Sequence, residues 1–231
     1  MDFKLTLPAR LRLSEKYSDM SLRCGNTVFR VHRAIVCTRS AVLDAAIDGN
    51  FKDSTFPEVD LSEHELSVVQ AMVQYLYSED YEDNSHKMRV KKKHSKLSAT
   101  SFGDQQSPLE LESPIIFNIK VYLIADQYKT PTLKTLADFK YSSAVTEMWD
   151  PFLFTEALGL LWRNTVEGDR PMRKTVATIA ARRIHFLFRS EEFVALIEAK
   201  GDVAVEVLKA VLEEGTANLM TLPATAAKAK K

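Results

Sequence analysis

Residues 17–81 decide the fold. They read YSDMSLRCGNTVFRVHRAIVCTRSAVLDAAIDGNFKDSTFPEVDLSEHELSVVQAMVQYLYSEDY. Two runs, 20–24 and 27–32, cluster apolar β-formers on either side of Gly25-Asn26. That dipeptide suits a two-residue turn, so the pattern predicts a β-hairpin. Residues 34–37 form a short apolar run, and Ser40 is placed to N-cap a helix over 41–47. Val42, Ala45 and Ala46 share a helical face and are expected to be its buried stripe, with Gly49 ending the helix. Residues 58–61 read as a short strand. Ser62 followed by Glu65 is a capping-box signature, and Leu66, Val69, Met72, Val73 and Leu76 then recur on one face of the next helix. The expected class is α+β, a small hairpin sheet surrounded by helices and followed by an all-helical region.

Composition changes on moving outward. Residues 82–113 are polar, contain HKMRVKKKHSK and then SATSFGDQQSP, and show no sustained apolar period. A disordered loop over 83–113 is expected there. Structure is expected to resume at Ile115 with the apolar helix IIFNIKVYLIADQY, then a second helix over 133–145 with Pro131 near its start. From Pro151 onward four segments carry period-3.6 apolar faces: PFLFTEALGLLWRNTV, PMRKTVATIAARRIHFLF, SEEFVALIEA and DVAVEVLKAVLEEG. Gly168, Pro171 and Gly201 punctuate them, and Ser190 and Asp202 are the expected N-caps. The last dozen residues, rich in Ala and Lys, are expected to fray. Residues 3–7 offer a short strand candidate that Pro8 would stop. The expected organisation is a segment 1–16, a first domain 17–145 containing the basic loop, a helical extension 146–215 and a tail 216–231.

The chain has 231 residues, enough for one core or one core with a helical satellite. Its 31 basic and 31 acidic residues cancel, so net charge gives no reason to expect nucleic-acid or membrane-surface binding. With only two cysteines, Cys24 and Cys37, a disulfide framework is not expected and a reducing compartment is the default. The first residues interrupt their apolar positions with charge and proline, unlike a cleavable leader. No apolar run approaches the roughly 20 residues that span a bilayer. The expected location is cytoplasmic or nuclear.

Several segments in order, YSDMSLRCG, FRVHRAIVCTRS, FKDS, LYSEDY and VYLIADQYKTPTLKTLA, resemble a BTB/POZ domain of the type found in many fungal proteins. GDRPMRKTV resembles the DRxxR element in the C-terminal helical, BACK-like extension of such proteins. The resemblance implies a BTB/POZ fold and a protein–protein interaction module, with protein partners that include a second copy of itself. It also implies that Asp19, before the first core strand, and Arg33, after the strand-end histidine, sit where dimeric members form a charged interface pocket. The competing role for this pair is fixing the fold within one chain. Members that recruit cullin-type ubiquitin ligases carry a hydrophobic residue, any residue, then Glu after the third helix. Phe51-Lys52-Asp53 aligns with that motif but has Asp in place of Glu, one methylene shorter.

Chemistry narrows the other candidates. As a metal ligand His32 lacks partners, because Cys24 and Cys37 supply neither a CxxC pair nor a second histidine. As a base it lacks a nucleophile and an orienting group. As a structural core histidine it needs only a nearby carbonyl. Cys24 and Cys37 read as small buried residues. The basic cluster Lys87, Arg89, Lys91, Lys92, Lys93 and Lys96 suits a solvated loop or a nuclear-localisation patch. Without interleaved aromatics it does not suit base stacking. No Gly-rich phosphate loop, nucleophile elbow or HExxH appears, so no enzyme activity, cofactor or metal is expected. Three functions follow: self-association or partner bridging, a substrate adaptor of a cullin ligase, and a nuclear transcriptional or chromatin cofactor acting through protein contacts.

Overall fold

The computed structural model describes residues 7–50, 56–85, 112–166 and 170–220. The chain divides into two compact units, Met1–Glu147 and Met148–Lys231. The first opens with helix α1 (Leu7–Ser14), which begins where a strand over 3–7 was expected to end, and Pro8 lies in its first turn. Proline costs little there, because the first helical N–H groups have no intrahelical acceptor.

The predicted hairpin is β1 (Met20–Cys24) and β2 (Thr27–Val31), joined through Gly25 at φ +57°. A left-handed backbone of this kind is open to glycine without a Cβ clash. β1 pairs antiparallel with β2 and parallel with β3 (Glu58–Asp60), so the sheet order is β2-β1-β3. Met20, Leu22 and Val31 are essentially fully buried, with Cys24 beside them.

Helices α2 (Arg33–Arg39) and α3 (Ala41–Asn50) follow the hairpin. Ser40 caps α3 as expected: its Oγ accepts the Leu43 N–H at 3.2 Å. The same hydroxyl donates to the Tyr128 carbonyl at 2.6 Å, a bond that spans 88 residues of sequence. The buried stripe is Leu43 and Ile47, not Val42, Ala45 and Ala46. The helix also runs through Gly49 to Asn50.

Helix α4 (Leu66–Ser78) starts later than the capping box implied. Glu65 is its N-cap residue and makes no side-chain cap bond. Ser62 instead accepts the Gly25 N–H at 2.9 Å, tying the hairpin turn to the chain after β3. Of the predicted face, Val69, Met72, Val73 and Leu76 are buried, whereas Leu66 is exposed. Helix α5 (Pro114–Gln127) is buried on nearly every side, as its unbroken apolar sequence requires. It packs on α4 and on α6 (Pro131–Glu147).

The second unit is α7 (Pro151–Asn164), α8 (Arg170–Arg182), the short α9 (Ile184–Leu187), α10 (Glu191–Ala199) and α11 (Gly201–Met220). Phe154, Leu158, Leu161, Met172, Val176, Leu187, Phe193 and Val203 are fully buried. Ser190 caps α10 through the Phe193 N–H. Asp202 falls inside the first turn of α11 and is not its cap. Asp150, unremarked in the sequence, caps α7 by accepting the Phe152 and Leu153 N–H groups at 2.9 and 3.1 Å.

Candidate interaction surface

The sequence places Asp19, His32 and Arg33 around the hairpin ends, and the structure shows how each is held. The Asp19 carboxylate accepts the backbone N–H of Arg33 at 2.8 Å. Arg33 is the first residue of α2, and the N-cap residue His32 makes no side-chain cap bond. Asp19 thus caps α2 from across the hairpin, satisfying a donor that the helix cannot satisfy itself. The Arg33 guanidinium lies 3.9 Å from Asp48 on α3, with both side chains substantially exposed. The two groups are brought together through the backbone of Arg33, while its charge is directed toward α3.

His32 is buried, and both of its ring nitrogens have partners. Nε2 lies 2.7 Å from the Lys16 carbonyl and Nδ1 2.7 Å from the Tyr77 hydroxyl. The Tyr77 oxygen also accepts the His32 backbone N–H at 2.8 Å. Burial pushes the Tyr77 phenol up to about 12. Nothing in the sequence marks Tyr77 as the partner.

On the outer face of the sheet, Arg23 bridges to Glu58 at 2.7 Å and to Asp60 at 3.0 Å, and Ser21 donates to Glu58. Hydrogen bonds from Ser62 hold the Asp60 carboxyl below its usual range, with Arg23 assisting. β1 and β3 are stitched to each other through their own side chains.

With this geometry in view, residues 9–100 match the family model of the BTB/POZ domain. The chain carries a BTB/POZ domain. The matched span contains the hairpin, β3, α2–α4 and all but the first two residues of α1. Helices α5 and α6 lie beyond it but within the same compact unit. None of the curated proteins matches the chain. The BTB/POZ domain is a protein-interaction module, so protein contacts are the chemistry to seek on this surface.

Phe51, Lys52 and Asp53 lie outside the described residues, as do Lys87, Arg89, Lys91, Lys92, Lys93 and Lys96 and the tail after Met220. Cys24 is buried, and its thiol donates to the His64 carbonyl at 3.3 Å. Cys37 is half-buried, and desolvation pushes its thiol up, away from the reactive thiolate form. Among the described residues no cluster of three or more His, Cys, Asp and Glu could hold a metal ion. Among them, too, no helix is long and apolar enough to cross a membrane.

Of the GDRPMRKTV element, Arg173 is buried in the second unit. Its Nε donates to Thr165 Oγ1 at 2.8 Å, and Nη2 donates to the Thr165 and Trp162 carbonyls. The guanidinium stacks over the Trp162 ring at 4.8 Å. It locks the end of α7 to α8. Beside it a groove of about 550 Å³ runs between α8 and α11, lined by Lys174, Asp202, Glu206 and Lys209 among others. Charges of both signs line it, giving no single-sign field for a charged ligand.

A polar network closes the chain on either side of residues 86–111. The Tyr81 hydroxyl donates to Asn118 Oδ1 at 2.6 Å, and Asn118 Nδ2 donates to Asp83 at 3.0 Å. Lys140 reaches the Tyr81 carbonyl at 2.7 Å and Asp80 at 2.8 Å. Burial works against the Asp83 charge, but hydrogen bonds from Asn118 and Ser85 prevail and hold its carboxyl below the usual range. Asp83 and Ser113 fall at the two ends of the expected disordered loop 83–113. Both belong to the folded unit, since Ser113 caps α5 through the Ile115 N–H.

Proposed function

We propose that this protein is a non-catalytic interaction module that self-associates or bridges protein partners through its BTB/POZ unit. The observation that carries this reading is the BTB/POZ match over residues 9–100, coinciding with the three-stranded sheet and its flanking helices. The polar groups around the hairpin support it. Asp19 caps a helix, both nitrogens of His32 are occupied, and Arg23 is bound to two carboxylates. These groups hold surfaces in place, as a docking module requires, and present no nucleophile beside a base.

Sedimentation velocity on the purified 26.1 kDa chain, together with affinity capture from its source cells, tests the reading. The expected result is a species of about twice the monomer mass at micromolar concentration, a specifically captured protein, or both. A chain that stays monomeric to about 100 µM and captures nothing would overturn it.

A further inference from the structure

The sheet ends at β2, and strand parity identifies which backbone groups that edge leaves open. Ser21 donates its N–H to the Pro57 carbonyl at 2.9 Å, and the Arg23 carbonyl accepts the Leu61 N–H at 2.6 Å. The backbone groups of Ser21 and Arg23 therefore face β3. Those of Met20, Leu22 and Cys24 face β2, where their partners are Val31, Phe29 and Thr27. Backbone groups alternate sides along a strand. The N–H and C=O groups of Val28 and Arg30 consequently point away from the sheet. Among the described residues no hydrogen bond reaches them.

Sheets commonly blunt such an edge with proline, a bulge or a charge turned inward. β2 reads TVFRV, and its register with β1 is unbroken, so none of these devices is present. The outer-face rows run Arg30–Ser21–Glu58 and Val28–Arg23–Asp60 from the open edge inward. Arg23 is matched by both carboxylates. Arg30 has no carboxylate partner among the described residues, and its guanidinium rests 5.6 Å from the half-exposed Phe56 ring. Val28 beside it is 47% exposed. The open edge thus offers four main-chain hydrogen-bonding groups, an unmatched cation and an aliphatic side chain.

We propose that the β2 edge takes an extended acidic segment of a protein partner as a fourth strand. A carboxylate sits beside Arg30, and an aliphatic or β-branched side chain beside Val28. The proposal rests on the interaction-module reading and names the surface and the partner's chemistry. Strand addition of this kind draws affinity from main-chain bonds and specificity from alternate side chains. Each net hydrogen bond is worth about fivefold, so four contribute roughly 600-fold against the cost of association, and the Arg30 pair and cross-strand packing supply the rest. The β2 strand of a second copy is a poorer occupant, because pairing edge with edge gathers two unmatched guanidiniums with no carboxylate between them.

The test uses the full chain and a capped peptide of repeated Val-Thr-Glu-Thr, in which valine and glutamate alternate along one strand face as Val28 and Arg30 do, with amide exchange and chemical shifts as readouts. Sub-millimolar binding is expected, with exchange at Val28 and Arg30 slowed about tenfold. Replacing glutamate by lysine, or N-methylating the peptide backbone, should weaken binding about tenfold or more. Arg30→Glu should do the same. Val28→Pro removes an outward donor without touching the β1 ladder, and it should weaken binding with the fold intact. If that variant does not fold, Arg30→Glu and the N-methyl peptide decide. No binding to about 5 mM, protection of other amides, or indifference to N-methylation or to Arg30→Glu would overturn the proposal. If the peptide fails while the wild-type chain still self-associates or captures a partner, the edge assignment falls and the module reading stands.

Discussion

At the residue scale, a histidine at the end of β2 brings a backbone donor and two ring nitrogens into the core. A carbonyl only accepts, so the bond to Lys16 places the ring proton on Nε2, and Nδ1 is left as an acceptor. The Tyr77 hydroxyl donates to Nδ1 and accepts the His32 N–H, so one oxygen satisfies two groups. Tyr77→Phe should therefore strand a buried N–H and a buried lone pair together, at about 2–4 kcal/mol in urea unfolding. A loss below about 0.5 kcal/mol would show that water or another group replaces the hydroxyl. The chemistry of His32 was legible in the sequence, because a lone histidine without ligand partners needs a carbonyl. Tyr77 was not legible, since it lies 45 residues away and only the packing of α4 on the hairpin brings it in.

At the scale of elements, what local rules govern was legible and what tertiary contacts govern was not. The hairpin follows from β-formers around Gly25, and the caps at Ser40 and Ser190 follow from short hydroxyl side chains before apolar periods. The stripe of α3 lies one position from the expected one, on Leu43 and Ile47, because the packing of the helix on the rest of the unit, which local spacing does not encode, decides the buried face. The Ser62–Glu65 pair has capping-box spacing, but Ser62 is drawn to the Gly25 N–H, which β-sheet formation places nearby. The same distinction predicts what the polar insertion tolerates. Replacing residues 86–111 with a short Gly/Ser linker should leave the melting temperature within about 3 °C, since Asp83, Glu112 and Ser113 keep their bonds. Replacing 83–113 deletes the Asp83–Asn118 bond and the α5 cap, and should cost about 2–3 kcal/mol, or roughly 4–12 °C. Equal melting temperatures for the two replacements, measured by calorimetry, would show that this polar closure contributes nothing.

At the scale of the molecule, the aromatic residues divide along the two units. All seven tyrosines lie before residue 147, and both tryptophans, Trp149 and Trp162, lie after it. Burial pushes the phenols of Tyr77 and Tyr128 up to about 12, and those of Tyr81 and Tyr141 further in the same direction. Tyr141 is completely buried, and among the described residues its hydroxyl has no hydrogen-bond partner, so an anion there would lack compensation. In the unfolded chain these groups ionise near 10. A raised folded-state value means that the unfolded form releases protons first. The stabilisation is therefore complete below about pH 10 and is lost as pH rises toward about 12. Alkaline titration should show the buried phenolates appearing together with loss of secondary structure in the first unit, in one cooperative step above pH 10. Tryptophan fluorescence, which reports the second unit alone, should change later, because that unit holds no tyrosine to ionise. Smooth ionisation of all seven phenols near their ordinary value with the circular dichroism unchanged would overturn the assignment of these four tyrosines to the core. A tryptophan transition that precedes the phenolate step would instead show that the alkaline limit of the chain is set by groups other than its tyrosines.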